Sequence, residues 1–458
     1  MNVTNPATGQ VIGAVAEDTA ETIAAKYAAA RAAQPRWAAV PLEERLLALR
    51  RFRDGLARRK EELARILTAE VGKPIRQSWA ELDAMPGRID FFLENTGPVL
   101  GDEPVHADPS KGLEERVAYE PLGVVANISA WNYPYFVGSN VFVPALLTGN
   151  AVLYKPSELA SLTGGAIADL MAESGIPKDV FTPVFGAGPV AARLFAHPLD
   201  GVFFTGSHAT GRKVAEAAGR GLMRMQLELG GKDPVYVCDD ADLEHAAPSL
   251  AVGAFYNTGQ SCCAVERIYV HERIHDAFVA AFRKCVAAFV VGDPTDEATF
   301  IGPLTRPAQV GVLEAQVEDA RGKGARVLMG GSRRAGPGSW FEPTVLTGVD
   351  HRMELMREES FGPVIGIQKV KGDEEALRLM NDTRYGLTAG VYSRDRGRAT
   401  RILSAVRSGS VYWNCCDRVS PRLPWSGRGD SGIGATLGLD GIRAFVQPKA
   451  WHLRTAPA

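Results

Sequence analysis

The sequence predicts an α/β protein of two main units, and three observations predict it. Short apolar runs, Gly123–Ile128, Ala151–Tyr154, Val180–Val184 and Gly201–Phe204, alternate with helix-length segments, and a fifth run, Met225–Leu229, closes the series at Gly230-Gly231. Near-continuous apolar runs of this length mark strands covered on both faces, hence a parallel sheet of strand–helix–strand units. A second alternation begins after residue 232, helical over Asp242–Asn257, extended near Arg267–Val270 and helical over Ile274–Val290, and continues to about residue 436. The length of 458 residues suits two or three domains, and 46% hydrophobic with 23% charged residues is ordinary globular composition.

Before the first sheet, Asp18 to Gln34 reads as a helix, with Asp18 as its cap and Glu21 three residues on. Leu42, Leu46, Leu49, Phe52, Leu56, Leu63, Ile66 and Leu67 mark the apolar stripe of a long, broken helical stretch. The stretch around Glu103–Tyr119 and the tail from about Gly441 fit neither alternation. They read either as arms reaching a neighbouring subunit or as surface loops.

Charge and cysteine content exclude several classes. Fifty-one Lys and Arg against 53 Asp and Glu leave a net charge of −2, with no basic footprint for nucleic acid. No signal peptide is visible at Met1–Pro6, and no apolar run approaches the ~18 residues of a membrane span. Six cysteines, at 238, 262, 263, 285, 415 and 416, show no paired metal spacing and are too few for a disulfide framework. A reduced cytoplasmic protein without a metal site is the expectation.

Five segments carry candidate chemistry. In Asn257-Thr258-Gly259-Gln260-Ser261-Cys262-Cys263 a thiol follows a turn, which suits either an exposed nucleophile or inert buried packing. Glu228, at a strand end before Gly230-Gly231, is either a desolvated carboxylate able to act as a general base or a solvated turn residue. Phe204-Thr205-Gly206-Ser207, with Gly211 beyond, places amides at a helix start, where a pyrophosphate is favourable. Trp131-Asn132-Tyr133-Pro134 follows the first sheet strand, where an Asn amide can serve an oxyanion, or where the aromatics merely pack. Lys155-Pro156-Ser157-Glu158 ends the next strand, and its carboxylate suits an adenosine ribose or simply the start of a helix.

Taken together and in this order, the segments resemble the aldehyde dehydrogenase superfamily. Glu228-Leu229-Gly230-Gly231-Lys232 is similar to its glutamate signature, and Phe255-x-Asn257-x-Gly259-Gln260-x-Cys262 to its cysteine signature, at the family's separation. Glu359-x-Phe361-Gly362-Pro363, Asn414 and Ser431-Gly432-x-Gly434 extend the resemblance from Asn5 to about Lys449. The resemblance implies a Rossmann-like cofactor domain over 1–102 and 121–231, an α/β catalytic domain over 232–438 and a small β oligomerisation arm over 103–120 and 439–458. It implies oxidation of an aldehyde to the acid with NAD. Cys262 would be the nucleophile, Asn132 with the Cys262 amide would hold the oxyanion, and Glu228 would activate the water that hydrolyses the thioester. Lys155 and Glu158 would meet the adenosine ribose; Trp131, Gly206, Ser207 and Gly211 would border the pyrophosphate, and Glu359 and Phe361 the nicotinamide ribose. Glu158 should repel a 2′-phosphate, favouring NAD, while Lys155 leaves NADP open. Homodimers or homotetramers are the implied assembly.

Departures from the family pattern accompany the match. Asn140 and Val141 stand where many relatives carry an aromatic residue and a Lys, and Thr436 where many carry Glu, which weakens any proton relay from the base. Tyr133, Tyr135, Tyr412 and Trp425 fall where relatives line the aldehyde tunnel, with Asp417 nearby. Such a box suits an amino or betaine-type aldehyde by cation–π attraction, and equally an aromatic or alkyl one. The rival readings are a CoA-acylating enzyme, against which Glu228 argues, and a catalytically silent protein on the same scaffold, against which Cys262, Glu228 and Asn132 argue together.

Overall fold

A computed structural model describes residues 1–416 and 418–455. The chain opens with a hairpin, β1 (Asn2–Thr4) and β2 (Val11–Ala14), followed by helices α1 (Ala20–Ala38), α2 (Leu42–Arg58), α3 (Lys60–Val71), α4 (Ile75–Asp83) and α5 (Met85–Leu100). The long apolar stripe breaks at Arg59. Helix α1 is capped by Thr19, whose side chain exchanges hydrogen bonds with Thr22; the expected cap, Asp18, instead accepts from Thr22 Oγ1 and Lys26. A hydroxyl one residue later closes a reciprocal capping box, which frees the Asp18 carboxylate for the lysine.

After β3 (Glu103–Asp108) and β4 (Leu113–Pro121) come five strands, β5 (Val124–Ile128), β6 (Ala151–Lys155), β7 (Phe181–Pro183), β8 (Gly201–Thr205) and β9 (Arg224–Glu228). Between them run α6 (Pro134–Leu147), α7 (Ser161–Glu173), α8 (Gly188–Leu194) and α9 (His208–Arg220). These strands are parallel, in the order β9-β8-β5-β6-β7. Their side chains alternate between two cores. Val125, Val152, Tyr154, Phe181 and Phe203 pack with α2, α3, α5, α6 and α7 on one face; Val124, Ala126, Ile128, Leu153, Val202, Phe204 and Leu227 pack with α1, α8 and α9 on the other. Both faces are covered, so the strands read as near-continuous apolar runs, with Asn127 in β5 and Gln226 in β9 as buried polar exceptions.

The second sheet contains β10 (Asp233–Val237), β11 (Val265–His271), β12 (Arg326–Met329), β13 (Thr344–Thr347), β14 (Val364–Val370), β15 (Thr388–Tyr392) and β16 (Ser410–Trp413), in the order β12-β13-β14-β11-β10-β15-β16. Helix α10 (Leu243–Phe255) connects β10 to β11. Two late strands return to earlier parts of the chain. β17 (Gly432–Ile433) lies antiparallel on β9, and β18 (Val446–Arg454) on β4. β18, β4 and β3 form an antiparallel sheet of their own, exposed or half-exposed along nearly all its length.

Candidate active site

The carboxyl ends of β5, β6, β8 and β9 open onto a cavity of about 1100 Å³. Its wall brings together Trp131, Asn132, Lys155, Glu158, Gly206, Ser207, Glu228, Cys262, Glu359 and Phe361. Residues far apart in the chain meet here: those of the first sheet end a parallel strand or begin the segment after one, while Cys262 precedes β11 and Glu359 and Phe361 precede β14.

Cys262 is half-buried on this wall, while its neighbour Cys263 is packed into the core at 5% exposure. The loop before it is unusual: Asn257, Thr258 and Gly259 all take left-handed backbone, with φ of 53°, 60° and 73°. Three hydrogen bonds hold that conformation. Gln77 Oε1 accepts the Asn257 amide at 2.8 Å, Gly302 N donates to Thr258 Oγ1 at 3.1 Å, and Thr305 N donates to Gln260 Oε1 at 2.9 Å. A Cβ on Gly259 would sit 2.3 Å from the Gly362 carbonyl oxygen. Gly259→Ala should therefore destabilise the protein by about 1–3 kcal/mol, through backbone conflict and positive φ together, and calorimetry should show a lower Tm.

Asn132 is 5% exposed at the turn into α6. Its Nδ2 donates to the Gln260 carbonyl at 3.1 Å, and its own carbonyl accepts Asn257 Nδ2 at 3.2 Å. The oxyanion candidate is thus tied to the cysteine loop at two points. An amide nitrogen has two protons, and the Gln260 bond uses one of them.

Glu228 ends β9, almost fully buried. Gln226 Nε2 donates to Oε1 at 2.9 Å and Thr436 Oγ1 at 3.4 Å, while Oε2 has no partner among the described residues. Burial pushes its pKa well above the ordinary carboxylate value, opposed in part by Gln226, Thr436 and Trp425. Thr436 supplies a hydroxyl where the family pattern has Glu, so no second carboxylate raises Glu228 further at that contact.

The cofactor end is built from β6, α9 and the segment before β14. Lys155 Nζ, 3% exposed, donates to the Pro156 carbonyl at 2.8 Å and lies 3.8 Å from the exposed Glu158 carboxylate. Burial lowers the Lys155 pKa, and Glu158 opposes the shift. Ser207 caps α9 through Thr210 N. Glu359 accepts the Gly231 amide at 3.1 Å, and burial raises its pKa to about 8. Phe361, at φ 47°, meets Trp131 edge to face at 5.6 Å. Glu266 locks this turn by accepting the Ser360 and Phe361 amides at 3.1 and 3.0 Å and pairing with Lys232 at 2.5 Å. A raised carboxyl with one donor among the described residues, lining the same cavity as the start of α9, fits a ribose and pyrophosphate.

Five expected residues lie off this wall. Tyr135 is core, 1% exposed, with its hydroxyl on the Leu63 carbonyl at 3.1 Å, because position two of α6 points towards α3. Gly211 lets α9 approach β9; a Cβ there would come 2.5 Å from Leu229 Cδ2. Trp425, 7% exposed, is drawn beside Glu228 by backbone pairing with Thr436. Tyr133 stacks on Phe136 with Lys73 Nζ 3.8 Å from its ring centre, and the Tyr412 hydroxyl donates to the Arg418 carbonyl at 2.5 Å. Asp417 lies outside the described residues.

Sequence reading missed Lys213 and Arg220, which line the cavity on the same α9 face as Thr210, Val214 and Ala217. The signal was present: cations on a helical stripe that also carries the helix's apolar residues. Gln77 and Glu266 gave no such signal, since each acts on a loop far away in sequence.

The family model for the aldehyde dehydrogenase family matches residues 1–451. Aminoaldehyde dehydrogenase 1, peroxisomal, of Malus domestica is 36% identical over 475 residues, covering 100% of this chain and 94% of the relative. Betaine aldehyde dehydrogenase of Cereibacter sphaeroides is 35% identical over 460 residues, covering 99% and 94%. The crystal structure of betaine aldehyde dehydrogenase from Staphylococcus aureus in complex with NAD+ superposes with a TM-score of 0.96 at 33% identity, covering 100% of this chain and 92% of that one. With the cysteine loop, the buried glutamate and the dinucleotide-sized cavity already in place, the chain belongs to the aldehyde dehydrogenase family.

Proposed function

We propose that this protein oxidises an aldehyde to the carboxylic acid with NAD, through Cys262, Asn132 and Glu228. The observation that carries the reading is the shared cavity: nucleophile, oxyanion donor and desolvated base line the same space as Lys155, Glu158 and Glu359. NAD, when bound, accepts the hydride. The Cys262 thiolate attacks the aldehyde carbon, and the free Asn132 Nδ2 proton, with the Cys262 amide, takes the charge that develops on oxygen. Loss of hydride leaves a thioester on Cys262. Glu228 then removes a proton from water, the hydroxide attacks the thioester, and the thiolate departs with release of the acid.

Similarity to aminoaldehyde and betaine aldehyde dehydrogenases supports a cationic aldehyde as substrate. Glu158 beside Lys155 supports NAD over NADP, with a difference in kcat/KM of about fivefold expected for one exposed carboxylate. The exposed three-stranded sheet, open at the β3 and β18 edges, supports assembly into a homodimer or homotetramer. Among the described residues no helix is long and apolar enough to cross a membrane.

NADH formation across amino, betaine, aromatic and short alkyl aldehydes, with NAD, with NADP and with added CoA, tests the reading. Turnover with NAD alone is expected, with Asn132→Ala slower by about 10²–10³ in kcat. Turnover that requires CoA would refute the role of Glu228.

A further inference from the structure

Helix α4 carries two buried polar side chains that reach the two halves of the reacting centre. Gln77 and Glu81 stand four residues apart, on one helical face, 5% and 2% exposed. Gln77 bridges the Asn257 amide and the Phe300 carbonyl, each at 2.8 Å. Glu81 Oε1 accepts the Tyr135 and Phe136 amides at 3.0 and 3.2 Å, and its other oxygen pairs with the buried Lys73 ammonium.

Tyr135 and Phe136 are the second and third residues of α6, whose own N-cap, Tyr133, makes no side-chain capping bond. Buried amides at a helix start need acceptors, and Glu81 supplies them from another helix. The residue before that N-cap is Asn132. The loop gripped by Gln77 leads, five residues later, to Cys262. From one face, then, a single short helix holds both the helix start that follows the oxyanion donor and the nucleophile's loop.

We propose that α4 sets the spacing between Asn132 and Cys262, with Gln77 and Glu81 as positioning residues. This rests on the roles given above to Asn132 and Cys262. Misplacement of reacting groups by about an ångström costs on the order of 10²-fold in rate. Glu158 and Glu359, on other elements, stay in place when the clamp loosens.

Gln77→Met leaves the Asn257 amide without its acceptor, and Glu81→Gln keeps one acceptor oxygen while ending the ion pair. Each is measured alone and in the Asn132→Ala background, with kcat and the KM for NAD determined separately. The expected result is a fall in kcat of about 10- to 100-fold for Gln77→Met and a smaller one for Glu81→Gln, with KM for NAD unchanged. Little further loss is expected from either once Asn132 is gone. The same fold-loss in both backgrounds, or parental kcat in both variants, overturns the proposal. Should Gln77→Met not fold, Glu81→Gln carries the same comparison with an isosteric side chain. Parental kcat in Asn132→Ala alone would instead refute the oxyanion role, and that outcome is read without either α4 variant.

Discussion

Cys262→Ala abolishes turnover, lowering kcat by at least about 10⁴-fold, while NAD binding survives. The expectation follows from the two adjacent thiols. Cys263 is 5% exposed and contacts Ser261 Oγ at 3.4 Å, whereas Cys262 borders the cavity. A buried neighbour cannot substitute for the missing nucleophile. Cys263→Ala is the paired control: it removes one buried sulfur and should leave kcat within a few-fold of the parent. Alkylation gives an independent reading, with one thiol of the six reacting much faster than the rest. Loss of activity in Cys263→Ala but not in Cys262→Ala would reverse the assignment.

Glu228→Gln separates the two halves of the reaction. Attack and hydride loss do not need the base, so each site should still yield a burst of about one NADH, followed by steady turnover slower by about 10²–10⁴. The pH profile carries the sign. Burial favours the neutral carboxyl, so the fraction of base form grows as pH rises, and kcat should climb above the usual carboxylate range in the parent and not in the variant. Stability runs the opposite way. The unfolded carboxyl ionises near its ordinary value of 4.5 and the folded one well above it, so between those points the unfolded state holds fewer protons and stability falls with rising pH. Glu228→Gln removes that loss and should melt higher than the parent at alkaline pH. A variant without a burst, or with the parent's steady rate, would sink the role of Glu228.

The strands of the first sheet were legible because both faces are covered, which leaves runs such as Ala151–Tyr154 and Gly201–Phe204 free of polar interruptions. Helix ends were less so: Thr19 and Asp18 are both good caps, and the reciprocal Thr19–Thr22 pair, with Asp18 engaged by Lys26 and Phe185 N, decides between them. At the site, residues that end strands were legible through their motifs. Side-chain direction was not. Tyr135 follows Asn132 by three residues, yet the helical turn sends it into the core, and Trp425 is set beside Glu228 by pairing with Thr436 rather than by its own neighbours. Gln77 and Glu81 act on partners 180 and 54 residues away, and no local pattern encodes such contacts.

The strand that carries Glu228 is bordered on its outer side by β17, a two-residue segment near the end of the chain. Leu229 N donates to the Ser431 carbonyl and Ser431 Oγ to the Gly230 carbonyl, so the turn after the base is tied down by the same late segment. During synthesis, a ribosome-bound chain that already displays Asn132, Glu228 and Cys262 still has β9 as an open edge, with its amides and carbonyls available to other chains. The surroundings of the base are completed by β17 and by Thr436 beyond it, whose hydroxyl donates to Glu228 Oε1. Premature termination or C-terminal trimming upstream of that point would therefore yield a product with its nucleophile intact, its hydrolytic step impaired and a sticky sheet edge exposed. Catalytic competence and protection of the sheet edge thus rest on the same short segment, β17.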